Sequence, residues 1–191
     1  DPGKRGEDQA DVVRYERIVQ GMRGGGGYYP VTAQALRAGD DPMRPFLTFR
    51  LPTLAVVQAA LPPPVTMLLL YALVAGVVFA WYRQLRSAFA RPAAVWVAMA
   101  LLAGGLIAFV QADLACFHEI WAGLLIALSL AARREGKWIE AVAIGLIAML
   151  IRESAALYVG IMAVFAFAEG HRKEAIGWTS TLGVLAIVLA L

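Results

Sequence analysis

Four ionisable residues stand inside otherwise apolar runs. His118 and Glu119 open the stretch 114–132, and Arg152 and Glu153 sit in the middle of 138–168. An ionisable side chain within a membrane costs about 2.5–3.5 kcal/mol on insertion scales, so it is there to act or to neutralise a neighbour. Glu119 or Glu153 beside Arg152 would hold helices together. The same groups can also do chemistry: a guanidinium offers planar paired donors to phosphate, and Glu119 or His118 can position a hydroxyl. Asp8 and Asp11 add carboxylates able to take a proton from an attacking hydroxyl, although Asp at a helix start also serves as a cap. Arg44 and Arg50, in Arg-Pro-Phe-Leu-Thr-Phe-Arg-Leu-Pro, can bind phosphate or lipid headgroups, or snorkel at a membrane boundary. Asp40, Asp41 and Asp113 fit turns or caps, and Asp113 is kept as a substrate-binding candidate.

Other chemistries are excluded. His118-Glu119 lacks the second His of the HExxH metalloprotease pattern. Gly24 to Gly27 has neither a preceding strand nor a following Lys-Ser/Thr, so it is no phosphate-binding P-loop. No Ser sits in a nucleophile elbow. A single cysteine, Cys116, forms no internal disulfide, and no Cys/His spacing suits zinc, so neither metal nor cofactor is expected. The arginines lack the aromatic interleaving of a nucleic-acid groove.

The elements that must position these residues follow from composition. Of 191 residues 60% are hydrophobic and 16% charged, against about 45–50% and 25% in soluble domains. Fifteen of the 31 charges lie in residues 1–63. The expected fold class is all-α: a polytopic integral membrane helical bundle, 64–191, with a helical extracytoplasmic loop region, 1–63. Spans are expected at about 64–82, 92–112, 114–132, 138–151, 154–168 and 176–191. As one helix, 138–168 would be about 46 Å long, so it is split at Arg152-Glu153. In the head, Val12, Tyr15, Val19 and Met22 recur at helical spacing, giving an amphipathic helix over 8–22. A second short helix is expected near 31–38 and a surface or re-entrant one at 53–61. The first residue, Asp1, and the apolar run at Leu191 suggest a fragment.

Basic loops set the orientation. Arg83, Arg86 and Arg91, then Arg133, Arg134 and Lys137, then Arg172 and Lys173 are all cytoplasmic by the positive-inside rule, which the split accommodates. Residues 1–63, Asp113, His118-Glu119 and Arg152-Glu153 then share the opposite face.

Asp11-Val12-Val13-Arg14-Tyr15 with Ile18 and Met22, Tyr28-Tyr29-Pro30, and the segment Arg44-Pro45 to Arg50-Leu51-Pro52 resemble the polyprenyl-phosphate-sugar-dependent GT-C membrane glycosyltransferases, in the branch of protein O-mannosyltransferases and the lipid A aminoarabinose transferase. That family carries an Asp before an amphipathic helix and a long outer loop. Many members have Glu directly after the Asp, where Val12 stands here. The resemblance implies sugar transfer from a polyprenyl-phosphate donor to an acceptor on the extracytoplasmic face. Asp11 would be the catalytic base, and Asp8, Arg14, Tyr15, Arg44, Arg50, Asp113, His118, Glu119, Arg152 and Glu153 would contact substrate.

The expected function is therefore a membrane glycosyltransferase whose partners are a polyprenyl-phosphate-linked sugar, membrane lipids and an acceptor, with no nucleic acid. The competing readings are a transporter or flippase component, with Glu119, Arg152 and Glu153 along a permeation path, and a non-catalytic subunit whose head binds a partner. An Arg-rich, Lys-poor chain without Asn suggests a GC-rich bacterium, hence a multi-pass inner-membrane protein.

Overall fold

Glycine and proline punctuate the helices of the described residues. The computed structural model describes residues 2–38, 51–107, 117–134 and 136–190, with the side chains of 2–11 and 38 outside that description. Its helices are α1 (Pro2–Arg23), α2 (Tyr28–Ala38), α3 (Thr53–Ala60), α4 (Pro63–Ala88), α5 (Pro92–Ile107), α6 (His118–Ala132), α7 (Ile139–Ile151), α8 (Ala156–Ala168) and α9 (Arg172–Ala190), with a 3-10 turn at Glu153–Ala155 before α8. The described residues are all-α, containing no strand.

Two helix ends show why. Gly25 (φ 89°) follows α1, where Gly26 N–H donates to Gly21 O and Gly25 N–H to Met22 O. Gly170 (φ 80°) follows α8, where His171 N–H donates to Ala166 O and Gly170 N–H to Phe167 O. Both are Schellman closures, which need a left-handed residue and so favour glycine. Prolines do the opposite work: Pro63 and Pro92 open α4 and α5, where no amide donor is needed.

The head is a small layer of its own. α1 packs on α2 and α3, burying Ile18, Ala35, Leu36, Leu54 and Ala55. Arg23, ending α1, donates through Nη2 to the carbonyls of Gln58 and Leu61, both at 2.8 Å, and so satisfies free acceptors at the end of α3. α3 in turn touches α7, seating the head on the bundle.

In the bundle, α6 lies between α4 and α7, and α9 packs on α8 and α7. Leu70 and Val77 of α4, Ala141, Ala148 and Met149 of α7, Val159 and Ala166 of α8 and Trp178 of α9 form the interior. The exterior is apolar as well: Phe79, Trp96, Leu101, Leu157, Val164, Phe167 and Ile187 are all exposed, Leu101 at 74%. Exposed apolar side chains in such number suit contact with lipid or protein better than with water. α4 and α9, 26 and 19 residues, are long and apolar enough to cross a membrane. α5, α6, α7 and the 3-10 turn with α8 are apolar but shorter.

Several expected boundaries shift. α1 starts at Pro2 rather than Asp8, and α2 at Tyr28 rather than Val31, with Pro30 tolerated in the first turn. α4 continues six residues past the expected end at 82 and carries Arg83 and Arg86, since long basic side chains extend a helix beyond its apolar stretch. α6 begins at His118, and residues 108–116 lie outside the description. α9 begins at Arg172 rather than Ile176, because Glu174 in its first turn is paired and can be buried.

Candidate functional site

The site at the head end is assembled by one break and two helix starts. α7 stops at Ile151, and Arg152 is extended (φ −142°, ψ 115°) before the 3-10 turn. α8 then returns, so that Tyr158 lies beside Gly145 of α7. Arg152 and Glu153 are thereby held at the tip of a helical hairpin. Phe117 precedes α6 in extended conformation, and His118 and Glu119 form the first turn.

Arg152 Nη2 pairs with Glu119 Oε1 at 3.1 Å. Neither group is deeply buried, with side-chain exposures of 28% and 45%. Arg152 Nε is buried and makes no hydrogen bond among the described residues. Glu153 takes a different partner: its Oε1 accepts the backbone N–H of Leu51 at 2.8 Å. His118 is 2% exposed and packs under Tyr15 of α1, ring centroids 5.4 Å apart, while Phe117 meets the same Tyr15 ring edge-on at 6.2 Å. Head and bundle therefore meet at Tyr15, His118, Leu51 and Glu153, with the Glu119–Arg152 pair alongside on the same two helix ends.

The sequence candidates divide as follows. Tyr15, His118, Glu119, Arg152 and Glu153 come together. Asp8 and Asp11 lie on the backbone of α1, the seventh and tenth residues of that helix and so past its capping positions, with Asp11 one turn before Tyr15. Their side chains are outside the description. Arg14 is half-buried on the same helix. Arg44, Arg50 and Asp113, with Asp40 and Asp41, lie outside the described residues. Among those described, no group of three His, Cys, Asp or Glu could hold a metal ion. The arrangement offers an anion partner in Arg152, oriented by Glu119, at a partly accessible apolar boundary.

A second polar cluster, which sequence reasoning missed, occupies the opposite end. Arg133, following α6, donates through Nε to Glu174 Oε1 at 2.6 Å and through Nη2 to Glu169 Oε2. Glu174 is 4% exposed and also accepts Trp178 Nε1–H at 3.1 Å. His171 Nδ1 lies 3.4 Å from Glu169 Oε2 and 3.8 Å from Glu174 Oε2. The hydrogen bond from Arg133 holds the Glu169 carboxyl below the usual range, aided by the charges of Arg133 and His171. The Glu174 bond likewise raises Arg133 further above its ordinary value. Deeper in, Ser129 Oγ donates to Ala141 O at 2.7 Å and pairs with Tyr158 OH at 2.8 Å, and the Tyr158 ring meets Trp178 edge-on. The available signal was Glu174 followed one turn later by Trp178 at the start of an apolar helix. Arg133 was visible only as loop charge.

No protein-family model, curated protein or solved structure matches this chain.

Proposed function

We propose that this chain is a multi-pass, all-helical membrane glycosyltransferase of the GT-C type, residing in a bacterial inner membrane with residues 1–63 on the extracytoplasmic side. It transfers a sugar from a polyprenyl-phosphate donor to an acceptor hydroxyl. The observation that carries the reading is the packing of α1 against the helix ends: Tyr15, one turn after Asp11, rests on His118 next to the Glu119–Arg152 pair. This supports a division of labour that sugar transfer requires. The helix that carries the proposed base and the cation proposed for the leaving phosphate meet at one boundary from different elements.

In the proposed reaction the acceptor oxygen forms a bond to the anomeric carbon as the bond from that carbon to the phosphate oxygen breaks. Asp11 takes the hydroxyl proton, and the phosphate leaves with the bonding pair, giving inversion. Arg152 stabilises the negative charge on the departing phosphate, and Glu119 keeps its guanidinium oriented. Tyr15, backed by the buried His118, supplies a wall against which the sugar packs. The exposed apolar flanks of α4, α5 and α8 provide the lipid contact such a donor needs.

The test is transfer of labelled sugar from a polyprenyl-phosphate donor by membranes containing the protein. Asp11→Asn should lower transfer by about 10²–10⁴-fold, the range for loss of general-base catalysis, with helical content unchanged. Activity retained in that variant removes Asp11 from the mechanism. Wild-type membranes that transfer no sugar from any such donor overturn the reading.

A further inference from the structure

Between α4, α6 and α8, at the end carrying the basic loops, lies a cavity of about 580 Å³, within the roughly 300–1,000 Å³ span of small-ligand sites, with Gln84 of α4 on its wall. Its lining has two characters. Leu130, Met162 and Phe165 form an apolar side, and Arg134, Glu169 and His171, all exposed, form a charged one together with Arg133 and the buried Glu174. Leu130 and Phe165 are themselves exposed on the outer flank, so the apolar side is continuous with the surface that faces lipid.

Charge defines what fits. Arg133 is engaged by Glu169 and Glu174, whereas Arg134 is exposed and has no ion pair among the described residues. Glu169 is also exposed, with one oxygen occupied by Arg133 and His171. Two arginines against two glutamates leave the charged side near neutrality, so a purely anionic ligand meets carboxylate repulsion and a purely cationic one meets Arg134. A group carrying both charges matches: phosphate to Arg134, ammonium to the Glu169 oxygen that Arg133 does not hold. The apolar wall calls for an acyl chain on the same molecule.

We propose that this cavity binds the headgroup of an aminophospholipid, a phosphodiester joined to a primary ammonium, taken from the surrounding leaflet. The proposal rests on membrane embedding and is independent of sugar transfer. Such a lipid would wedge α6 and α8 apart at a fixed spacing and brace the Arg133 cluster.

Native mass spectrometry of the protein in neutral detergent, titrated with phosphatidylethanolamine, phosphatidylcholine or phosphatidylglycerol, tests it. The three share a phosphodiester, but choline has no N–H donor and glycerol no cation. Phosphatidylethanolamine should be retained about tenfold better than either, as expected for one charge-assisted hydrogen bond. Glu169→Gln should abolish that preference and Arg134→Ala should weaken retention of all three lipids, while Lys173→Ala, off the cavity, should change neither. Equal retention of all three lipids, preference for phosphatidylglycerol, an unchanged preference in Glu169→Gln, or unchanged retention in Arg134→Ala overturns the proposal.

Discussion

The amide N–H of Leu51 donates to Glu153 Oε1 at 2.8 Å, joining residues 102 positions apart. Leu51 is buried where the chain re-enters α3, and Glu153 stands at the tip of the α7–α8 hairpin. The contact latches the head to the bundle through a backbone donor and a carboxylate, a bond worth about 1.5–3 kcal/mol when one partner is charged.

The donor nitrogen of Leu51 is also the leaving nitrogen of a tryptic site, since Arg50 precedes it in the sequence. Glu153→Ala should open that site to trypsin, with cleavage several-fold faster than in the wild type. Glu153→Gln keeps an acceptor oxygen and should stay close to wild type. Mapping early tryptic fragments by mass checks this, and identical cleavage of both variants would show that the bond does not hold the head.

The Glu119–Arg152 pair separates stability from activity. Both groups are partly solvated, and exposed pairs contribute about 0–1 kcal/mol. Glu119→Gln and Arg152→Gln should therefore shift the thermal midpoint little. If Arg152 stabilises a leaving phosphate, Arg152→Gln should lower sugar transfer by about 10²–10³-fold. A large loss of stability with proportionate loss of activity would instead mark the pair as a structural clasp.

Parts of this arrangement were legible in the sequence for identifiable reasons. Arg152-Glu153 interrupts an apolar stretch too long for one crossing, so the break between α7 and α8 could be read from length and polarity alone. A shared face for α1 and His118 was expected from the basic loops; Tyr15 does lie against His118, a contact that carries no information on membrane side. Glu153's partner was not legible, since a backbone N–H has no side-chain signature. The Arg133 cluster was hidden for another reason: Glu169 and Glu174 lie 36 and 41 residues away, and each looks like ordinary loop or cap charge until α6, α8 and α9 are packed. Helix ends were misplaced where arginine extends a helix past its apolar run, as at Arg83 and Arg86 in α4.

Two glycines should respond differently to the same change. A Cβ at Gly145 would lie 2.7 Å from Trp178 Cζ3, and one at Gly177 would lie 2.5 Å from Trp138 Cζ3. Trp178 is fully buried, hydrogen-bonded to Glu174 and braced by Tyr158, so it has nowhere to move. Trp138 is half-buried before α7 and can swing outward. Gly145→Ala should cost about 1–3 kcal/mol, the usual overpacking penalty, and Gly177→Ala less, despite its shorter distance. Thermal midpoints in one detergent decide the order, and equal losses would mean Trp138 is as constrained as Trp178.

Acid should loosen the Arg133 cluster through Glu169. Hydrogen bonding from Arg133, with the nearby positive charges, lowers the Glu169 carboxyl below its ordinary 4.5. A carboxyl depressed in the folded state contributes its full stabilisation above the unfolded value and loses it as pH falls through the folded one. Arg133 is raised and stays charged throughout. The window therefore opens near pH 4.5 and extends below it. Glu169→Gln should be less stable than wild type just above pH 4.5, and that margin should shrink as the pH is lowered further. Unfolding midpoints of the two proteins across this range measure it. Because Glu169 is exposed the margin is small, and it should narrow with added salt, which screens an exposed pair; superimposable pH profiles would mean that Arg133 is held by Glu174 alone.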